Sequence, residues 1–169
     1  RFIQMGIAEQ DMIGTAAGLA ASGKVAFAST FAVFASGRAF DQVRNAVCYS
    51  RLNVKICATH AGLTVGEDGA SHQSVEDIAL MRAVPNMTVI VPSDAVQTAW
   101  AVNAAAAMDG PVYMRLGRAP VPVIYGEGQE FAIGKAHTMR MGSDVTIIAC
   151  GIMVPWALAA DEHLFEEGI

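Results

Sequence analysis

A single carboxylate near the start of the chain, Glu9, stands where a helix is predicted to begin. It precedes an alanine-rich run, Met12 to Ala21, in which Ala, Leu and Met supply helix propensity. Glu9 therefore falls in the first helical turn, beside backbone N–H groups that have no intrahelical partner. One interpretation is that the carboxylate only suits the positive end of the helix dipole. The other is that Glu9 does chemistry, which needs support from other parts of the sequence.

A glycine-rich loop collects two histidines and two carboxylates. It runs from His60 to His72 and contains Glu67 and Asp68. A loop of this length in a compact domain is usually functional, and histidine can move protons near neutral pH. We therefore favour acid–base chemistry and substrate contacts. Two alternatives stay open, namely a metal site, although no tight H-x-x-x-H spacing is present, and a loop whose side chains bond its own backbone.

Three more side chains are candidates for a site. Phe31 and Phe34 lie in an apolar stretch and, taken alone, are typical of a hydrophobic core. Arg118 follows a predicted strand and is either a surface charge or a phosphate ligand. The sequence contains no G-x-G-x-x-G or Walker-type loop and no G-x-S-x-G elbow. Nucleotide-cradling loops and the hydrolase elbow are therefore excluded as explanations.

The elements that position these residues alternate between strands and helices. The predicted strands are continuous apolar runs, which is typical of a parallel sheet buried on both faces. The sequence therefore predicts an α/β fold with a mostly parallel sheet and helices on both faces. The predicted strands cover 24–29, 52–59, 87–91, 111–116 and 144–150, and the helices cover 12–21, 37–50, 74–83, 94–108 and 154–167, with Ser74 as a capping residue.

The carboxyl ends of parallel strands form the usual ligand-binding edge of such a sheet. The loop after Thr59 and the loop after Leu116 should therefore lie on the same rim. This placement would gather the polar candidates of both loops, which are His60, Asp68, His72, Arg115 and Arg118.

Composition narrows the possible partners and locations. The 169 residues are 53% hydrophobic and carry a net charge of −5, which gives no reason to expect nucleic acid or an anionic membrane surface. Three cysteines without C-x-x-C spacing favour buried free thiols in a reducing compartment, and hence a cytoplasmic protein. The longest uncharged run, 145–160, is too short for a membrane span. The chain begins and stops in mid-pattern, so we expect both ends to be truncated.

Five stretches, taken in order, resemble the pyrimidine-binding domain of transketolase, and most closely the small subunit of two-chain transketolases. The match runs from residue 1 to about residue 135, and the tail from Ser143 resembles the start of the family's C-terminal domain. The resemblance thus implies a thiamine-diphosphate-binding fold over 1–135 and a linker with the start of a C-terminal α/β domain over 136–169. The stretches are GIAEQ, STFAVF, ATHAGLTVGEDGASHQ, VPNMTVIVPSD and PVYMRLGRAP.

The resemblance gives Glu9 a catalytic role toward thiamine diphosphate. In the family this residue hydrogen-bonds N1′ of the aminopyrimidine and favours the imino tautomer, which takes the proton from the thiazolium C2. A carboxylate that shares a proton with N1′ in a dry pocket is expected to have a raised pKa. Phe31 and Phe34 match the aromatic residues around the pyrimidine. The family often has a tyrosine one turn later, where this sequence has Gly37.

The resemblance also implies roles for the loop residues. His60 and Arg118 match residues that hold the sugar phosphate, and Asp68 matches the group that reads a donor hydroxyl. His72 matches a residue that contacts the reacting carbonyl or hydroxyl, so it is both a substrate ligand and a catalytic residue. The predicted reaction is transfer of a two-carbon ketol unit between phosphorylated sugars, as in the pentose phosphate pathway.

The family's diphosphate- and metal-binding signature, Gly-Asp-Gly followed by Asn, is not in this sequence. The resemblance therefore implies a partner chain or domain that holds the diphosphate and Mg²⁺, with no metal ligands here and a site at a dimer interface. The chain would be an enzyme subunit that is incomplete alone. Deoxyxylulose-phosphate synthase, a 2-oxoacid dehydrogenase beta subunit, and a non-catalytic assembly subunit of the same fold remain alternatives.

Overall fold

A four-stranded sheet forms the centre of the computed structural model, which describes all residues from Arg1 to Ile169. The strand order is β1-β2-β4-β3, and every neighbouring pair is parallel. The predicted parallel α/β sheet is thus confirmed. The strands are β1 (Ala26–Phe31), β2 (Val54–Thr59), β3 (Thr88–Ile90) and β4 (Val112–Arg115).

The helices follow the predicted order along the chain. Two consecutive π-helical segments occupy the stretch predicted as one helix over 37–50, and a short 3₁₀ segment lies within the glycine-rich loop. The α-helices are α1 (Glu9–Ala21), α2 (Asp77–Ala83), α3 (Ala95–Ala107) and α4 (Met153–Glu166), the π-helical segments are Phe34–Arg38 and Gln42–Tyr49, and the 3₁₀ segment is Leu63–Asp68.

Helices cover both faces of the sheet, because successive side chains of a strand point to opposite faces. Tyr113 of β4 belongs to the large buried cluster, which also contains Ile13 of α1. Its neighbours in β4, Val112 and Met114, belong to a second cluster with Ala101 and Ala105 of α3. The small residues of these helices allow close approach to the sheet, as the composition suggested.

The stretch that follows β4 is bound to the start of α3 through Ile124 and Tyr125. Asp94 caps α3, since its Oδ1 accepts a hydrogen bond from Gln97 N at 2.8 Å. Its Oδ2 accepts from Ile124 N at 2.9 Å and from Tyr125 N at 3.0 Å. Burial raises the pKa of Asp94, but these backbone donors outweigh burial and hold it below its usual range. The predicted domain boundary at 135/136 stays a prediction.

The predicted capping role of Ser74 is wrong. Helix α2 begins at Asp77, and the Ser74 side chain is buried without a hydrogen-bond partner. The reason is that the Ser74 backbone pairs with the glycine-rich loop, where its carbonyl accepts from Gly62 N at 2.8 Å. An extended backbone at Ser74 in this bridge delays the start of the helix.

The strand predicted over 144–150 is also wrong. These residues are exposed and pair with no other strand of the chain. An apolar run becomes a strand only where a neighbour satisfies its backbone groups, and here the run leads directly into α4.

Cys150 lies in this stretch and is exposed, contrary to the expectation of buried thiols, whereas Cys48 is buried and burial raises its pKa to about 11. No helix of the chain is long and apolar enough to cross a membrane.

Candidate functional site

The first side chain placed at the carboxyl edge of the sheet is His60, which follows β2 directly. Its backbone lies in the left-handed region, with φ of 58°, a conformation that is uncommon for residues other than glycine. The imidazole stacks on the ring of Phe31, the last residue of β1, with centroids 3.8 Å apart and planes 12° apart. Its Nδ1 lies 3.0 Å from Thr59 Oγ1. The unusual turn thus holds the imidazole against the neighbouring strand.

Four predicted site residues form one aromatic cluster. Phe34 lies nearly parallel to Phe31, with a centroid distance of 6.1 Å and an interplanar angle of 13°. The His72 ring stands edge-on to both phenylalanines, 5.4 Å from Phe34 and 6.0 Å from Phe31. Together with His60, these rings unite the end of β1, the end of β2 and the end of the glycine-rich loop. We call Phe31, Phe34, His60 and His72 the aromatic cluster.

The glycine-rich loop is held at both of its ends. Ala61 N donates to Leu116 O at 3.1 Å, and Gly62 N donates to Ser74 O at 2.8 Å. Between these points the 3₁₀ segment is interrupted at Gly66, whose φ is 79°. This positive φ favours glycine, and a Cβ added at Gly66 would also lie 2.7 Å from Arg118 Nη1, so that the end of the arginine side chain would have to shift. The loop is therefore a shaped element with fixed ends.

A buried polar group supports the loop from below. Asp77 is fully buried, and its Oδ2 accepts from Tyr113 Oη at 2.9 Å and from Arg115 Nε at 2.8 Å. Arg115 also donates through Nη2 to Ser74 O at 3.3 Å, which connects the group to the closed end of the loop. Burial, with the nearby Asp77 charge, raises the pKa of Tyr113. We call Asp77, Tyr113 and Arg115 the buried frame.

Glu9 is the first residue of α1 and is only 6% exposed. Its Oε2 accepts a hydrogen bond from Arg38 Nη1 at 2.9 Å. Burial raises the pKa of Glu9, but the hydrogen bond from Arg38, a backbone hydrogen bond and the charge of Arg38 together outweigh burial, so the pKa lies below its ordinary value. The expectation of a raised pKa for Glu9 is therefore wrong in this structure, because the Arg38 guanidinium hydrogen-bonds the Glu9 carboxylate.

Arg38 links Glu9 to the aromatic cluster. Its guanidinium carbon lies 4.3 Å from the ring centroid of Phe34, in a cation–π contact. Arg38 follows Gly37 at the end of the π-helical segment that begins at Phe34. An open cavity of about 290 Å³ adjoins the pair and is lined by Ile7, Ala8, Glu9, Gln10, Asp11 and Arg38.

The remaining predicted residues lie over the glycine-rich loop. Arg118 Nη2 lies 3.0 Å from Glu67 Oε2, and its Nη1 donates to the Val65 carbonyl. Asp68 is exposed on the same loop. No side-chain hydrogen bond or ion pair joins Arg118 or Asp68 to the aromatic cluster. The structure thus groups Phe31, Phe34, His60 and His72 directly, with Glu9 joined to them through Arg38.

Sequence reasoning missed Arg38 and the buried frame. The one signal for Arg38 in the sequence was Gly37. It stands next to Arg38 where the family often has a tyrosine, so an aromatic side chain is missing beside a cation. The sequence around Asp77 resembles a helix cap that begins at Ser74. It does not indicate that Tyr113 and Arg115 donate hydrogen bonds to a buried Asp77. No group of three or more His, Cys, Asp or Glu side chains that would hold a metal ion is present.

Comparison with known proteins decides the family. A family model described as transketolase, pyrimidine binding domain, matches residues 1–123. The chain belongs to the transketolase family. It is 56% identical to a putative transketolase C-terminal section of Methanocaldococcus jannaschii, with the whole chain aligned to 54% of that relative. The match favours transketolase over the two alternatives of the same fold, deoxyxylulose-phosphate synthase and a 2-oxoacid dehydrogenase beta subunit.

Two further relatives extend this assignment. A 6-deoxy-6-sulfo-D-fructose transketolase subunit of a Clostridium species is 49% identical over the whole chain, which covers 52% of that protein. A solved structure described as a split gene transketolase, inactive beta4 tetramer, superposes over the whole chain with a TM-score of 0.93 and 56% identity, covering 55% of that chain. This transketolase-family chain therefore spans about half the length of the relatives it matches.

Proposed function

We propose that this chain supplies the pyrimidine-binding half of a thiamine diphosphate site that transfers two-carbon ketol units between phosphorylated sugars. The observation that carries the proposal is the double contact of Arg38. Its planar guanidinium bonds the buried Glu9 carboxylate at 2.9 Å and lies 4.3 Å from the Phe34 centroid. An aminopyrimidine ring is also planar and needs the same two kinds of contact, a carboxylate at its edge and an aromatic ring at its face.

The residues present fit that ring. Glu9 is buried at the first turn of α1, so a bound ring would meet a carboxylate shielded from water. Phe31 and Phe34 offer nearly parallel faces at the end of β1. When bound, thiamine diphosphate supplies a carbon nucleophile, and the protein supplies position and electrostatics. Glu9 is the group that would hold or share the proton at N1′.

The histidines are proposed to transfer protons at a substrate oxygen. His60 and His72 both contact Phe31, so their imidazoles lie beside the same ring that would flank the cofactor. His72 would exchange a proton with the reacting hydroxyl or carbonyl. His60 and Arg118 would hold the sugar phosphate, and Asp68 would accept a hydrogen bond from a donor hydroxyl. In this arrangement Arg118 must exchange Glu67 for the phosphate.

The diphosphate and Mg²⁺ are proposed to bind a second transketolase chain or domain, with the complete site at an interface in a cytoplasmic oligomer. The names of relatives support a divided enzyme, since one is a C-terminal section and one is a subunit. The apolar N-terminal segment is suited to such an interface, because Phe2 is 85% exposed and Ile7 is 92% exposed. The predicted division into residues 1–135 and 136–169 belongs to the same proposal.

Sugar specificity is a finer question than family membership. One relative is named for 6-deoxy-6-sulfo-D-fructose, and a subunit from Phocaeicola vulgatus that is 44% identical is named for apulose 4-phosphate. Both names describe ketoses with an anionic group, which agrees with an arginine as the anion ligand. We therefore propose phosphorylated ketoses and aldoses as the substrate class.

The test is a reconstitution with the diphosphate-binding partner. Calorimetric titration of thiamine diphosphate and Mg²⁺ should give binding to the mixture and none to this chain alone. A Glu9→Gln change should lower ketol transfer by about 100-fold or more, since it removes a contact made to the reacting cofactor. Assembly should be unchanged.

The matched control is Glu76→Gln, because Glu76 is an exposed carboxylate directly before another helix, α2. This variant should keep full activity. Full activity in Glu9→Gln would refute the role of Glu9. Activity with pyruvate as the donor, in place of a ketose phosphate, would point to deoxyxylulose-phosphate synthase or a dehydrogenase subunit instead.

A further inference from the structure

Arg38 makes two contacts that belong to different parts of the site. It pairs with the Glu9 carboxylate at 2.9 Å and covers the Phe34 ring at 4.3 Å. Neither contact is needed to fill the core, because the Arg38 side chain is 47% exposed while Glu9 is 7% exposed. The arginine therefore lies over the pocket from the solvent side, with its charged end inside.

The two contacts are the ones that an aminopyrimidine would have to make. A ring that hydrogen-bonds Glu9 must approach the carboxylate whose Oε2 now accepts from Arg38 Nη1. On the Phe34 ring, the guanidinium covers one face. A cofactor ring stacked on that face and bonded to that carboxylate would occupy the volume of the guanidinium, so the two planar groups compete for this position.

We propose that Arg38 is a placeholder that closes the pyrimidine pocket and must be displaced from Glu9 before the cofactor binds. This inference rests on the proposed function and adds a positioning residue to it. The exposure of Arg38 supports it, since 47% of the side chain is open to solvent and the guanidinium can move outward. Because the arginine of this pair is half exposed, water can take over its hydrogen bonds when it leaves, in contrast to a pair with both partners buried.

Displacement also explains how Glu9 changes its proton affinity. While Arg38 is paired with it, the pKa of Glu9 lies below its ordinary value, which suits a carboxylate that stays ionised. Once the guanidinium leaves, its hydrogen bond and its charge no longer lower the pKa of Glu9, while burial still raises it. The same movement that opens the pocket therefore prepares Glu9 to share a proton with a ring nitrogen.

The experiment compares cofactor affinity in the assembled complex. Thiamine diphosphate with Mg²⁺ is titrated calorimetrically into wild type and into Arg38→Gln, which cannot form the ion pair. If the pocket is open in about one molecule in ten, removing the placeholder should lower the apparent Kd about tenfold. The midpoint of thermal unfolding should change little, because Arg38 is half exposed.

Arg44→Gln is the matched control. Arg44 is an exposed arginine of the following π-helical segment, bonds only the side chain of its neighbour Asn45 and makes no contact with Glu9. It therefore reports what the loss of one positive charge does to the affinity for an anionic cofactor. The Kd of Arg44→Gln should equal that of wild type. A second comparison uses the Glu9→Gln background, in which the effect of Arg38→Gln should shrink to less than about twofold, since the partner is gone.

The outcomes separate the two proposals. Binding to wild type with an unchanged or raised Kd in Arg38→Gln would overturn the placeholder and leave the proposed function standing. A tenfold gain that persists in the Glu9→Gln background would also overturn it, because Arg38 would then act on another group. Absence of binding by both wild type and Arg38→Gln would refute the proposed function itself, and the placeholder with it.

Discussion

The buried frame and the Glu9–Arg38 pair use the same chemistry in opposite surroundings. Arg115 Nε lies 2.8 Å from Asp77, and Arg38 Nη1 lies 2.9 Å from Glu9. The Arg115 side chain is 17% exposed and Asp77 is fully buried with Tyr113 as a second donor, whereas Arg38 is 47% exposed. One pair is closed on all sides and fixes the loop. In the other pair the arginine is open to solvent while the Glu9 side chain is 7% exposed, so the arginine is the partner that can exchange.

The largest expected effect breaks the closed pair. Asp77→Ala would leave Arg115 and Tyr113 without their acceptor in a buried site, so we expect a loss of about 3–5 kcal/mol in the free energy of unfolding. Arg38→Ala, which breaks the open pair, should cost about 1 kcal/mol or less. Urea denaturation of both variants of the full-length protein measures the difference. Equal losses would show that the two pairs do not differ in kind.

Removing one donor from the buried frame should have an intermediate effect. Tyr113→Phe deletes the hydroxyl that donates to Asp77 at 2.9 Å and keeps the ring in the core. We expect the free energy of unfolding to fall by about 2 kcal/mol, since the acceptor is charged and buried. Tyr49→Phe is the control in the same assay, because Tyr49 is 85% exposed, and it should leave the stability unchanged.

Acid should act on the open pair in a defined direction. The folded pKa of Glu9 is lowered from 4.5, so its contribution to stability is complete above that value and is lost as pH falls through the folded pKa. The stability difference between cofactor-free wild type and Glu9→Gln should therefore be constant near neutral pH and shrink on acidification. Chemical denaturation at a series of pH values checks this. A difference that grows toward low pH would mean that Glu9 is destabilised by burial.

The smallest effect is expected at the third arginine. Arg118 pairs with Glu67 at 3.0 Å, but Glu67 is 90% exposed. Glu67→Gln should change the free energy of unfolding by no more than about 0.5 kcal/mol. Since the change frees Arg118 from a competing carboxylate, the KM for a sugar phosphate should fall while kcat is retained. A loss of stability similar to that of Asp77→Ala would place this pair with the buried frame.

The sequence predicted correctly the strands and helices that follow from the pattern of apolar residues along the chain. It failed where a neighbouring strand or side chain determines the structure. The continuous apolar runs of β2 and β4 identified buried parallel strands, and the alanine-rich run placed Glu9 in the first turn of α1. The run over 144–150 has the same composition but finds no neighbouring strand. Periodicity reports which residues prefer burial and does not report what lies beside them.

Side-chain partners in the site show the same limit. The placement of His60 and His72 at one edge followed from the predicted parallel sheet, since parallel strands end at one edge, but their contacts with Phe31 and Phe34 were not predicted. The pairing of Glu9 with Arg38 depends on a π-helical segment that carries the arginine back toward α1. A helix with five-residue hydrogen bonding is rare, and no pattern in the sequence distinguished it from an ordinary helix. The lowered pKa of Glu9 was missed for that reason.

The Asp94 carboxylate has a practical consequence for recombining this chain with its relatives. The Asp94 side chain caps the N-terminus of α3 and also accepts hydrogen bonds from the backbone at Ile124 and Tyr125. A splice between Asp94 and Ile124 would separate the carboxylate from the backbone N–H groups that it binds, and would expose this buried carboxylate. A splice beyond Tyr125 would carry both halves together. We therefore expect a recombination point beyond Tyr125 to preserve these contacts, which agrees with the predicted boundary between residues 135 and 136.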